Sequence, residues 1–261
     1  MSIKTQERGE RIMKAVLRQG NISVEELVVQ VGTSAPSVRR DLTRLERRGL
    51  ICRTHGGATL LEPMLYGPFR HDTSFAAREL RFADEKRRIG VAASELVFEK
   101  ETIGITAGTT TTQVGRSLRH RQGIHVVTNA LNIGMELSNQ SRIRTTITGG
   151  VLAWDWSFAM AGPAALTSLN DIYFDKVFIG VTGLHIDHGA TTLEVEEATV
   201  IRTMVKRAKQ VIVVTDSSKL QQVSPAVICS LESIHTIVTD NALTSAIRTQ
   251  LQDCGIRVIL A

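Results

Sequence analysis

Apolar residues recur along the first fifty positions at helical rather than strand spacing. Ile12, Val16 and Leu17 share one side of a predicted helix running from Thr5 to the stop at Gly20. Leu27, Val28 and Val31 do the same for a second helix that Gly32 ends, and Val38, Leu42 and Leu45 for a third. Ser23 stands three residues before Glu26, the arrangement of a capping box at the start of the second helix. Pro36, Arg40, Thr43, Arg44 and Arg47 fall opposite the apolar stripe of the third helix. That face is cationic, carries a hydroxyl and has nothing apolar to bury, so it fits a DNA major groove. Two helices joined by a short turn, the second basic on its outside, form a helix-turn-helix. Leu50 to Thr54 then reads as extended, and His55-Gly56-Gly57 turns it into a hairpin wing.

Between 61 and 74 the periodicity fails, and Pro63, Gly67 and Pro68 punctuate a linker. Helical spacing returns from Asp84 to Val97 through Ile89, Ala92, Ala93 and Leu96. Strand-like runs follow at Thr102 to Ala107, Ile124 to Thr128, Ile143 to Thr148, Lys176 to Val181, Gln210 to Thr215, Ile234 to Thr239 and Ile256 to Leu260. Helical patterns lie between several of them, around Val114 to Leu118, Ala130 to Leu137, Glu194 to Ala208 and Leu243 to Leu251. Strand then helix, repeated, predicts an α/β fold with a mainly parallel sheet covered on both faces. The expected organisation is a winged helix-turn-helix over 1–60, a linker over 61–74 and a larger α/β domain over 75–261.

Charge assigns a partner to the smaller part. Residues 1–60 carry eleven lysines and arginines against six acids, an excess equal to the +5 of all 261 residues, so the remainder is neutral on balance. An anionic polymer therefore belongs to the head. The bland alternative is a solvated helix face in which Asp41 pairs with Arg44. Three scattered cysteines without metal-ligand spacing suit reduced thiols. The charged amino terminus and the lack of a long apolar run point to a cytoplasmic protein without a membrane partner.

Small and polar residues cluster just after the strands of the larger part. Gly108 to Thr112 follows the first, Thr128-Asn129 ends the second, Gly149-Gly150 follows the third, Thr182-Gly183 the fourth and Asp216 to Lys219 the fifth. Carboxyl ends of parallel strands share one edge, where ligands bind. The glycine of GTTTT allows close backbone approach while N–H groups and hydroxyls face an anion, most simply a phosphate, and Lys219 adds a point charge. Taken singly, the threonine run is only a strand-to-helix turn; five polar loops together make a pocket. His185, Asp187 and His188 read as loop residues, and no metal or cofactor is expected.

The chain also resembles the DeoR family of bacterial transcriptional regulators. Arg39-Arg40-Asp41-Leu42, Leu45, Gly49, Ile51, Arg53, His55-Gly56-Gly57 and Ala58 stand where that family has its recognition helix and wing. Ser37 replaces the more usual threonine and keeps the hydroxyl. Phe75, Arg78, Glu85, Lys86 and Ile89 match further positions. So do AGTTT from Ala107, TN at Thr128, TGG from Thr148, FIGV-x-G from Phe178, EA at Glu197 and DSSK from Asp216. The resemblance implies a sensor domain similar to ribose-5-phosphate isomerase that binds phosphorylated sugars or related metabolites. Thr106 stands where the family usually has an aspartate, which removes one acceptor for a sugar hydroxyl.

The reading is a DNA-binding transcriptional regulator, a repressor of a catabolic operon relieved by a phosphorylated effector. Ser37, Arg39 and Arg40 are candidates for base edges, Arg44, Arg47 and Arg48 for phosphates, and Arg53 and His55 for the wing. Gly108, Thr109, Thr110, Thr111, Thr128, Asn129, Gly149, Gly150, Gly183, Glu197 and Lys219 are the effector candidates. A homo-oligomer on double-stranded operator DNA is expected, since one head offers little contact. The rival is a sugar-phosphate isomerase, which needs a carboxylate placed to move a proton between carbons. Thr182-Gly183-Leu184-His185 stands where the enzyme-like relatives have acids, and Glu197 is left as a lone candidate base, so no catalysis is expected.

Overall fold

Helical spacing and strong caps shape the first sixty residues of the computed structural model, which describes residues 3–47, 50–54, 56–60, 73–152 and 157–261. The elements are α1 (Ile3–Gln19), β1 (Asn21–Ser23), α2 (Val24–Val31), α3 (Ala35–Arg47), β2 (Ile51–Arg53) and β3 (Gly57–Leu60). Ser23 Oγ accepts from Glu26 N at 3.1 Å while a Glu26 carboxylate oxygen accepts from Ser23 N at 2.8 Å, the expected capping box. Gly32 ends α2 in the left-handed conformation, φ 68°, and its N–H donates to Val28 O. Ile12, Val16, Leu27, Val38 and Leu42 are fully buried between the helices. The strands form an antiparallel sheet in the order β1-β3-β2. A Cβ at Gly57 would lie 2.0 Å from Ile22 O, so a glycine is needed for β3 to lie against β1.

The chain divides into two compact units, Met1–Leu65 and Tyr66–Ala261. The segment read as a linker lies outside the described residues except for its last two, which open α4 (Thr73–Leu80). The second unit continues with α5 (Ala83–Ser94), β4 (Thr102–Ile105), α6 (Thr109–Leu118), β5 (Ile124–Thr128), α7 (Leu131–Leu137) and β6 (Ile143–Ile147). Then come β7 (Val151–Leu152), β8 (Met160–Ala161), α8 (Pro163–Ser168), β9 (Phe174–Ile179), β10 (Gly183–His185), β11 (Gly189–Thr192) and α9 (Val195–Lys206). The last elements are β12 (Ala208–Val214), β13 (Ala226–Cys229), β14 (Thr236–Thr239), α10 (Ser245–Asp253) and β15 (Arg257–Leu260).

Seven strands form one parallel sheet in the order β15-β14-β12-β9-β4-β5-β6, and they are the seven runs expected from the sequence. Alternate residues feed two cores. Phe178, Ile212 and Val214 meet α5, α6 and α7 on one face through Ile89, Val114 and Ile133. Val177, Ile179, Val211 and Val213 meet α8 and α9 on the other through Ala165, Ile201 and Met204. The direction of strand addition reverses between β4 and β9, and the crevice that such a reversal opens lies at the carboxyl ends of those two strands. A small antiparallel sheet, β10-β11-β13, and the ribbon β7-β8 complete the unit. Among the described residues no helix is long and apolar enough to cross a membrane. Cys52, Cys229 and Cys254 are free thiols.

Candidate functional site

On α3 the residues turned away from the core are cationic. Arg39, Arg40 and Arg47 are exposed, and Ser37 and Arg44 are half-buried. Arg40 donates to Ser37 Oγ at 3.3 Å, and Ser34 Oγ lies 3.1 Å from the same oxygen, a chain of contacts along the first turn. Arg53, on β2, donates from its backbone N to Glu46 at 3.1 Å and from its guanidinium to Thr43 Oγ1 at 3.0 Å, so the wing is tied to the recognition helix. Arg48 and His55 lie outside the described residues. The other six DNA candidates fall on α3 and the strand joined to it.

Asp41 has a different task. Only 2% of it is exposed, and its carboxylate takes Arg8 Nε of α1 at 2.5 Å and Arg44 of its own helix at 3.2 Å. The acid inside Arg39-Arg40-Asp41-Leu42 therefore braces α1 against α3. Positions 38, 41, 42 and 45 follow helical spacing, so the apolar stripe itself points Asp41 inward.

In the second unit a cavity of about 310 Å³ opens over β12, β9 and β4, at the reversal of strand order. Gly108, Thr109 and Thr110 line it at the start of α6. Gly108 has φ 149° and no side chain to cap the helix, whose first-turn N–H groups have no intrahelical acceptors. Thr182 comes from the loop after β9, and Thr215, Asp216 and Lys219 from the loop after β12. Asp216 is 3% exposed and its carboxylate caps the turn Ser217–Lys219 through Ser218 N at 3.2 Å and through Ser218 Oγ. Glu197, in the first turn of α9, completes that side.

Two arginines that the loop pattern did not nominate also reach the cavity, Arg78 from α4 and Arg81 from the turn after it. The backbone carrying them is fixed from behind. Lys86, 5% exposed on α5, donates to Arg78 O and, at 2.6 Å, to Arg81 O. Burial pushes the Lys86 ammonium down to about 8, and the charges of Lys219 and Arg78 act in the same direction while Asp216 opposes them. Glu79, next to Arg78, pairs at 2.9 Å with Arg116 of α6, which also holds Glu136 of α7 at 2.8 Å. The arginine segment and the threonine loop thus rest on one ion-paired framework. Burial also pushes the Glu197 carboxyl up to about 7; Arg78 opposes the shift and Glu194 adds to it.

The remaining effector candidates stand outside the lining. Thr111 is fully buried and donates to Gly108 O at 3.0 Å. Asn129 accepts from Ala107 N at 3.1 Å and donates to Met160 O, and Thr128 donates to Ile105 O at 2.7 Å, so both hold the loop that leads into Gly108. Gly149 and Gly150 follow β6 at the sheet edge, and a Cβ at Gly150 would lie 2.4 Å from Ala161 O. Gly183 pairs with Thr191 within β10-β11, leaving Thr182 to face the cavity. Thr106 is fully buried and accepts from Gly180 N at 3.1 Å. Among the described residues no group of three or more histidines, cysteines or acids could hold a metal ion.

Comparison with known proteins decides between regulator and isomerase. Residues 8–64 match the DeoR-like helix-turn-helix domain, and residues 81–241 match the DeoR C terminal sensor domain. The chain belongs to the DeoR family. It is 33% identical over 253 residues to the HTH-type transcriptional regulator GlpR of Haloferax volcanii, covering 97% of this chain and 96% of that one. It is 28% identical over 258 residues to the glycerol-3-phosphate regulon repressor of Escherichia coli, covering 99% and 100%. A crystal structure of ribose 5 phosphate isomerase A from Neisseria gonorrhoeae aligns at a TM-score of 0.40 and 16% identity, over 52% of this chain and 53% of that one, too weak a likeness to carry an argument. This DeoR-family chain is a DNA-binding transcriptional regulator and not an enzyme.

Proposed function

We propose that this regulator represses an operon for carbohydrate or metabolite catabolism and that a phosphorylated sugar or related metabolite in the cavity lifts the repression. The observation that carries the reading is convergence: the uncapped start of α6, the Thr109 and Thr110 side chains, Lys219, Arg78 and Arg81 all line one small cavity. Helix-start N–H groups with hydroxyls and cations suit a phosphate, and about 310 Å³ lies at the small end of ligand cavities, which run roughly from 300 to 1,000 Å³. The relative from Escherichia coli is named as a regulon repressor for a phosphorylated polyol, which favours the same sign of control.

The head over 1–60 grips operator DNA through Ser37, Arg39 and Arg40 at base edges, Arg44, Arg47 and Arg48 at phosphates, and Arg53 and His55 on the wing. Residues 61–74 link it to the sensor over 75–261, and the cytoplasmic protein binds as a homo-oligomer on repeated half-sites. Induction requires that the effector bind one arrangement of the heads better than another, since equal affinity shifts nothing. The test joins Thr110→Val with Lys219→Ala and titrates operator binding with sugar phosphates. The double variant keeps operator affinity and loses release by effector. Unaltered release in the variant places the effector elsewhere, and steady conversion of a sugar phosphate by the wild type refutes the regulatory reading of the cavity.

A further inference from the structure

Of the two carboxyls that line the cavity among the described residues, Asp216 caps its own turn, and Glu197 stands in the first turn of α9 with no such turn to cap. We propose that Glu197 is the specificity determinant of the cavity, selecting a ligand with one phosphate and a hydroxyl or ammonium group against Glu197, and turning away a ligand that brings a second anion there. This rests on the reading of the cavity as an effector site and names the class of effector it takes.

Charge gives the reason. The phosphate-binding part is cationic through Lys219, Arg78 and Arg81, with Lys86 behind it. The charges acting on Glu197 are Arg78 from α4 and Glu194 at the start of its own helix. The other elements packed against α9 add little. Strands β8, β11 and β13 present no charged side chain, nor does α8, and Asp175 and Lys176 of β9 and Lys209 of β12 are taken up in the pairs Asp175–Lys209 and Lys176–Glu101. Among the described charges Arg78 is the one that opposes burial at an acid held partly protonated near neutral pH. A ligand hydroxyl or ammonium donates to the carboxylate, or a hydroxyl accepts from the protonated acid. A second phosphate against Glu197 meets like charge in a desolvated wall and binds only if the acid keeps its proton. Ligand charge and proton uptake are therefore linked.

The experiment titrates the full-length protein calorimetrically with inorganic phosphate, glycerol 3-phosphate, glucosamine 6-phosphate and fructose 1,6-bisphosphate at about pH 6 and about pH 8, on either side of the Glu197 midpoint. Wild type prefers the tighter-binding monophosphate to the bisphosphate by about tenfold or more at the higher pH, and the preference narrows several-fold at the lower one. Glu197→Gln brings the ratio at the higher pH close to that of wild type at the lower pH and leaves only the pH dependence of the ligands' own phosphates, whose second ionisation lies at about 6. A preference that does not move with pH in wild type, or that survives in Glu197→Gln, overturns the inference while leaving the cavity as an anion site. Inorganic phosphate, which titrates alike but places no group against Glu197, gives the ligands' own share of the pH change, so the wild-type arm stands whether or not the variant folds. No saturable binding of any of the four probes overturns the cavity reading, and the inference with it.

Discussion

Replacing Asp41 by Asn separates a brace from a reader of DNA. The residue lies within the motif most easily taken for base recognition, yet it is 2% exposed and faces Arg8 at 2.5 Å and Arg44 at 3.2 Å. Arg8 retains 29% side-chain exposure, so its bond to the buried carboxylate is worth roughly 1.5–3 kcal/mol as a charge-assisted contact. Arg44 is 42% exposed and three residues away on the same helix, which limits it to a few tenths. Asn preserves the volume and one acceptor, so no cavity term enters, and the loss is about 2 kcal/mol, roughly a thirtyfold rise in opening of the head.

Hydrogen exchange in the full-length protein reads that number at the amides of α1 and α3. Fluorescence anisotropy at low temperature, where the weakened head is still folded, reads the ratio of operator to random DNA affinity, which stays unchanged. Arg8→Ala reproduces most of the loss, and the double variant costs little beyond either single change, since both remove one interaction. Unchanged exchange together with a fallen affinity ratio refutes the bracing role and puts Asp41 at the DNA.

Arg40→Ala costs about 1–3 kcal/mol on operator and relaxes one base pair, whereas Arg47→Ala weakens all sequences alike and lowers the salt slope by about one; equal losses on operator and random DNA for both rule out the division of labour between them. Lys86 fixes a pH dependence. Its folded value, about 8, lies below its ordinary 10.5, so the stabilisation is complete above 10.5 and is lost as pH falls through 8. The difference corresponds to about 3 kcal/mol, and chemical denaturation of the sensor between those limits shows it as a rise with pH that Lys86→Met abolishes. A rise that persists in Lys86→Met assigns it to another group.

The seven core strands were legible because each is a run of apolar residues bounded by small polar ones, and the head because its caps, stripe and charge agree. Strand order was not legible, and it governs which loops share a ligand. The polar turn after β6 looks in sequence like those after β4, β9 and β12, but β6 is an edge strand, two places from the reversal between β4 and β9. After β5, Asn129 spends its side chain on the backbone at Ala107 and does not line the cavity, which its place in the sequence did not announce. Arg78 stood in a matched motif but carried no sign of its direction, because only the turn at Arg81 and the Lys86 contacts bring that segment onto the loops. The antiparallel β10-β11-β13 sheet escaped for want of period: Gly183–His185 and Gly189–Thr192 are too short and too poor in large apolar residues to announce strands.

A carboxyl brought to about 7 inside a cavity is also what a general base looks like, so Glu197 bears on the isomerase reading directly. Moving a proton between adjacent carbons takes a base aimed at the carbon and a donor aimed at the neighbouring oxygen. Among the described residues of the lining, the other acid is Asp216, whose carboxylate is occupied by the N–H and hydroxyl of Ser218. Thr106, which the resemblance set against an expected aspartate, uses its hydroxyl to accept from Gly180 N. Burial is the largest cause of the shift at Glu197, with Glu194 adding to it and Arg78 opposing it, and burial serves recognition as readily as catalysis, because a half-protonated carboxyl both donates to and accepts from a hydroxyl.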